Sequence, residues 1–289
     1  MKFRFNYRSQ ALGEYTDVTV VIPTDGFSYY DVSQGAREHV GHGAPRRMPV
    51  YHPGMKFQTV YLIHGGGDDD TLPFRYTNVE RYAEDNCVML VCPDIANSFG
   101  LDTSYGKKYS TFLCEELPVL IRSYFPSSPE RKDNFIVGYA MGGNAALGNA
   151  LLHPENYSFC VDLSGGIGFT PRTQMLKDEL ESEHFSHFPV FTNSFGPADA
   201  LEGSDHDLAA VIRRRQAEGV EFPKLYIACG SREFIRARVE GDVAALREMG
   251  VELEYELAEG YDHNFDMWDM YLRKAFSQIL PLRRSKLEM

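Results

Sequence analysis

The sequence predicts an α/β protein with a mostly parallel central sheet and helices on both faces. Three observations predict it. Short apolar runs rich in β-formers recur along the 289 residues. Nearly every run stops at Gly or Pro, and helical patterns separate one run from the next. Such runs suit strands buried on both faces, and strand–helix alternation makes the helices crossovers between parallel neighbours.

The runs follow in order. Residues 16–22 end at Pro23, Thr59–Ile63 at His64-Gly65-Gly66-Gly67, 88–92 at Pro93 and 135–137 at Gly138. Phe159–Leu163 ends at Ser164-Gly165-Gly166, 225–229 at Gly230, and 253–257 runs into Ala258-Glu259-Gly260. Between them, 78–85, 111–124, 238–249 and 265–280 carry apolar residues at helical spacing, and 142–152 is small and Ala-rich. Two stretches break the alternation. Residues 25–56 read as a long surface excursion, and 170–222 as an inserted lid or substrate loop. A single domain, 1–289, is expected of a chain this long.

Composition excludes several function classes. Asp and Glu number 41 against 29 Lys and Arg, a formal net charge of −12. An acidic surface repels phosphate backbones and anionic lipids, so nucleic-acid and membrane partners are not expected. Arg213-Arg214-Arg215 reads as a solvated helix face. The five cysteines are odd in number and lack CxxC spacing, which fits free thiols in a reducing compartment. The first fifteen residues alternate apolar and polar instead of forming a secretory signal. A cytoplasmic protein is expected, and a homo-oligomer is left open.

The chemistry concentrates at Gly138-Tyr139-Ala140-Met141-Gly142. A β-run passes through glycines into a small-residue helix. The nucleophile elbow G-x-S-x-G has this layout, because its strained turn needs small neighbours. Gly138 and Gly142 flank residue 140 at the required offsets, but residue 140 is alanine. Gly66, in the glycine loop after an early strand, and Met141, after the nucleophile position, supply the two N–H groups of a candidate oxyanion hole. Glu233 follows one later strand and His263 the last, as candidate acid and general base. Gly65, Tyr139 and Trp268 are candidate substrate contacts, although Trp268 could equally pack its helix onto the sheet.

At these residues the chain resembles the esterase D and tributyrin-esterase branch of the α/β hydrolases, related to acetylxylan and feruloyl esterases. The matching stretches include LIHGG, TNVERYAED, CPDIANSF, FIVGYAMGGNAAL, LSGG, LYIACGSREF and GYDHNFDMWDMYL. The resemblance implies an α/β-hydrolase fold, a serine carboxylesterase and no cofactor. It also implies short acyl substrates: acetyl or hydroxycinnamoyl esters of plant-derived sugars, as small molecules or oligosaccharides. The family elbow carries serine where this chain has Ala140, and its usual acid is aspartate where this chain has Glu233.

Alanine has no atom that can attack a carbonyl or carry an acyl group. The support set around it is complete, which favours a Ser→Ala replacement. The alternative is a natural pseudoesterase that binds an acylated ligand. Other polar residues receive blander readings. Asp162 and Asp262 are reserve acids, and His64 is structural. Asp68-Asp69-Asp70 is a solvated loop. His184 and His187 lack the second pair that a zinc site needs, so no metal is expected.

Overall fold

The computed structural model describes residues 1–23, 52–166, 190–284 and 287. Eight strands form one sheet: β1 (Lys2–Arg8), β2 (Tyr15–Val21), β3 (Thr59–Ile63), β4 (Met89–Pro93), β5 (Asn134–Tyr139), β6 (Phe159–Leu163), β7 (Lys224–Gly230) and β8 (Leu253–Ala258). Their order is β1-β2-β4-β3-β5-β6-β7-β8. The pairs β1–β2 and β2–β4 are antiparallel, and every other pair is parallel. This is the α/β-hydrolase fold. All seven runs read from the sequence are strands. β1 is the eighth, and the alternation of the first residues is its signature as an edge strand.

Two apolar cores lie on the two faces of the sheet. Tyr61 and Ile63 of β3 enter one core, and Val60 and Leu62 enter the other. Side chains alternate across a strand, so a strand covered on both faces must be apolar at every position. Among the described residues, eight α-helices have five residues or more: α1 (Leu72–Tyr76), α2 (Val79–Asp85), α3 (Leu117–Tyr124), α4 (Met141–Leu152), α5 (Val190–Phe195), α6 (Leu208–Ala217), α7 (Arg236–Glu248) and α8 (Phe265–Lys274). Helices α2 and α8 cover one face, where Tyr82 donates to Asp269 at 3.0 Å. Helices α3, α4, α6 and α7 cover the other.

The helical patterns expected at 111–124 and 265–280 each contain a π-turn, at Phe112–Glu116 and Ala275–Ile279. A π-turn of this kind is confined to one turn inside a longer helix, so the helical periodicity on either side does not mark it.

The segment 170–222, expected as an inserted lid or substrate loop, contributes a helix to the core in its described part. Its residues 170–189 lie outside the described residues, as do 25–51 of the other excursion and His184 and His187. Its later part contains α6, which packs on α4 with Val211 and Ile212 fully buried. Helix α6 is therefore a core crossover between β6 and β7. Its Arg215 also donates to the Leu152 carbonyl at the end of α4, at 2.9 Å.

The Asp68–Asp70 run is a correction too, because each carboxylate is engaged. Asp70 is buried and accepts from Arg4 Nε at 2.9 Å and Thr19 at 2.6 Å. Asp69 accepts the Thr71 N–H at 2.8 Å, at the start of α1. Asp68 belongs to the site described next.

Candidate active site

The sequence-predicted residues gather beyond the carboxyl ends of β3, β5, β7 and β8, where parallel sheets present ligands. At β5 the chain turns sharply into α4. Ala140 sits at the turn with φ 51° and ψ −125°, a conformation rare for any residue with a Cβ. The turn closes because Gly138 and Gly142 touch. A Cβ on Gly138 would lie 2.0 Å from the Gly142 carbonyl oxygen, and one on Gly142 would lie 2.2 Å from the Ile63 oxygen. The Ala140 N–H is held by the Leu163 carbonyl at 2.8 Å, and the Ala140 carbonyl accepts the Gly143 N–H at 3.0 Å. The methyl at 140 is partly exposed at this tip.

The glycine loop after β3 stands beside it. A Cβ on Gly66 would lie 3.8 Å from Met141 Cβ, so the two backbones adjoin. The Gly65 N–H donates to Asp68 at 3.2 Å, and the Gly67 N–H donates to Asn97 at 2.7 Å. Among the described residues, neither the Gly66 nor the Met141 N–H has an acceptor. The buried His64 ring shapes the loop. Its Nε2 accepts the Ile95 N–H at 2.9 Å, so its Nδ1–H donates to the Gly65 carbonyl at 2.8 Å.

His263 follows β8, and its Nδ1 stands 2.8 Å from Glu233 Oε2. The other oxygen, Oε1, accepts from the Gly230 N–H and the Ser164 hydroxyl, both at 2.7 Å. Burial opposes the Glu233 charge, but His263, Gly230 and Ser164 outweigh it and hold the carboxyl below its ordinary value. The imidazole lies edge-on to Trp268, ring centres 4.9 Å apart, and Trp268 stacks on Tyr139 at 5.0 Å. Two ring contacts thus connect the imidazole to the residue preceding Ala140.

The reserve acids lie elsewhere. Asp262 is exposed, 3.8 Å from Arg232. Asp162 is buried under the elbow helix and accepts the Gly165 N–H at 2.8 Å.

Three expected substrate contacts need correction. Tyr139 is 0% exposed and donates to Asp68 at 2.9 Å. Trp268 is 6% exposed, enclosed by Tyr139, His263 and Phe265. Gly65 is buried with its N–H committed to Asp68. All three stand behind the site, because their polar atoms are spent on its framework.

Ser164 and Asp68 were not read as site residues from the sequence. The LSGG stretch was the only signal for the first, and the DDD run the only one for the second. No group of three or more His, Cys, Asp or Glu side chains suited to a metal occurs among the described residues. Nor is any described helix long and apolar enough to cross a membrane.

Comparison with known proteins places the chain in a family. The model of the Esterase family, described as "Putative esterase", matches residues 43–282. The chain is 29% identical over 239 residues to an acetyl esterase of Caldicellulosiruptor saccharolyticus, covering 79% of this chain and 89% of that protein. It is 26% identical over 158 residues to an S-formylglutathione hydrolase of Mus musculus, covering 54% of this chain and 50% of that one. Among solved structures it resembles the substrate-bound fluorophosphonate-binding serine hydrolase F of Staphylococcus aureus. That likeness has a TM-score of 0.77 and 25% identity, over 97% of this chain and 98% of the other.

Proposed function

Because the chain belongs to the Esterase family, whose chemistry is the hydrolysis of carboxylic esters, we propose that its site is that of a serine carboxylesterase for short acyl esters, with alanine at the nucleophile position. One observation carries the reading: the strained tip at 140 has two uncommitted N–H groups beside it and a Glu233-bound imidazole two ring contacts away.

With a hydroxyl at position 140 the proposed steps are these. His263 takes the hydroxyl proton as the oxygen attacks the ester carbonyl. The Gly66 and Met141 N–H groups bind the resulting oxyanion. The imidazolium, stabilised by Glu233, returns its proton to the leaving alcohol, and an acyl group stays on position 140. Water then enters, gives a proton to His263 as its oxygen adds to the acyl carbon, and the imidazolium returns that proton to the oxygen at position 140 as the acid leaves. In the chain as it stands the side chain at 140 ends at Cβ with no oxygen, so the ester binds and no acyl group is transferred. Loss of a triad nucleophile lowers turnover about a million-fold.

The acetyl esterase relative supports a short acyl group. Acetyl or hydroxycinnamoyl esters of plant-derived sugars are the narrower proposal, as oligosaccharide or small-molecule substrates. Ala140→Ser tests the reading. The variant should hydrolyse p-nitrophenyl acetate with a burst of nitrophenol, while the parent chain releases none above background. A folded but inert Ala140→Ser variant would sink the esterase reading and favour the second one. In that second reading Ala140 belongs to a pseudoesterase that holds an acylated ligand without cleaving it.

A further inference from the structure

The Glu233 carboxylate is pinned by residues from the loops on either side of it. Oε1 receives the Gly230 N–H and the Ser164 hydroxyl, which leaves Oε2 to face His263 Nδ1. Ser164 lies just after β6, Glu233 after β7, and His263 and Trp268 after β8. Trp268 Nε1 donates to Ser164 Oγ at 3.1 Å. An indole N–H can only donate, so the Ser164 oxygen must accept there. The single serine proton is then free to point at Glu233 Oε1, 2.7 Å away. The Met267 thioether, at 3.4 Å, is a weak acceptor and a poor competitor. Ser164 itself has φ 62°, a conformation that glycine adopts more readily, so a hydroxyl is being held where a side chain is strained.

From this arrangement we infer that Ser164, oriented by Trp268, is a positioning residue for the acid–base pair. The relay runs Trp268 to Ser164 to Glu233 to His263, and it fixes the rotation of the carboxylate. This also gives the only tryptophan of the chain a task other than substrate contact. The inference rests on the proposed roles of Glu233 and His263.

Its test has two arms. In the chain as it stands, proton NMR should show the His263 Nδ1–H as a low-field resonance protected from exchange. Trp268→Phe keeps an aromatic ring but removes the donor, and Ser164→Ala removes the hydroxyl at unchanged backbone strain. Both should lose that resonance to solvent exchange while remaining folded. In the Ala140→Ser background the same two changes should lower kcat about 10-fold, with KM within about twofold, as loss of an orienting partner does at metal-bound histidines. Retained resonance and unchanged kcat in either folded variant would overturn the relay and leave the esterase reading standing. If Ala140→Ser is inert, the esterase reading fails, and the resonance arm alone decides the relay.

Discussion

The Tyr139 hydroxyl donates to Asp68 Oδ2 across 2.9 Å, and the same oxygen accepts the Gly65 N–H at 3.2 Å. The residue preceding the elbow tip is thereby tied to the loop that carries Gly66. A shift of one oxyanion donor relative to the other would spoil their convergence, and this tie resists it.

Tyr139→Phe should therefore weaken both the fold and the site. The bond is partly buried and joins a hydroxyl to a carboxylate, so its loss should lower stability by about 1–2 kcal/mol, read from urea unfolding. In the Ala140→Ser background kcat/KM should fall as well. An unchanged urea midpoint would show that the tie contributes nothing.

Strain at the elbow makes a prediction of the opposite sign. Ala140 at φ 51° is strained by about 1–3 kcal/mol, and glycine tolerates the conformation at an entropic cost of about 0.5–1 kcal/mol. Ala140→Gly should raise stability by about 1 kcal/mol in thermal or urea melts. Gly142→Ala should do the reverse, since its Cβ would lie 2.2 Å from the Ile63 oxygen and 2.3 Å from the His64 oxygen, both backbone atoms. A loss of about 3 kcal/mol or more is expected. If both variants melt with the parent, the turn is looser than its geometry implies.

How these groups share the site explains what could be read in advance. Strands β3 to β7 were legible because most of their positions are buried, which forces nearly continuous apolar runs, whereas β8 is only partly buried and alternates Leu253, Tyr255 and Leu257 with glutamates. The elbow was legible because Gly138 and Gly142 are required by contact distance. The acid was not singled out so firmly, since Asp162 lies near the end of β6 while Glu233 and Asp262 follow β7 and β8. Ser164 was invisible as a functional group. Its partners lie 69 and 104 residues away, at Glu233 and Trp268, and no local pattern encodes them.

Acid should reveal the Glu233 network. Burial works against its charge, yet the donors from His263, Gly230 and Ser164 keep its folded pKa below the ordinary value of 4.5. A depressed carboxyl adds stability that is complete above the ordinary value and is lost as pH falls through the folded one. The stability gap between the parent and Glu233→Gln should hence be widest near neutrality and narrow below about pH 4.5. Urea midpoints across that range measure it, and a gap that is constant down to about pH 3 would contradict the pairing.

Asp162 should act at the other end of the scale. Burial, followed by the nearby Asp242 charge, pushes its carboxyl up to about 8. A raised folded pKa gives stability that is full below the ordinary 3.8 and is lost as pH rises through about 8. Asp162→Asn keeps an oxygen for the Gly165 N–H but cannot ionise. Its stability relative to the parent should improve from pH 5 to pH 9, a span of about four units. A parallel pair of pH–stability curves would show that Asp162 is charged throughout.

The sequence by itself determined the strand–helix order, the glycines of the turn at 140 and a histidine just after the last strand, because burial, close approach and chain order constrain residue types locally. Tertiary structure alone decided which carboxylate faces His263, which loop N–H stays uncommitted, and that Tyr139 and Trp268 stand behind the site. Those outcomes depend on hydrogen bonds between loops far apart in the chain. Each donor and acceptor has several partners allowed by chemistry, and only the packed sheet brings one of them within reach.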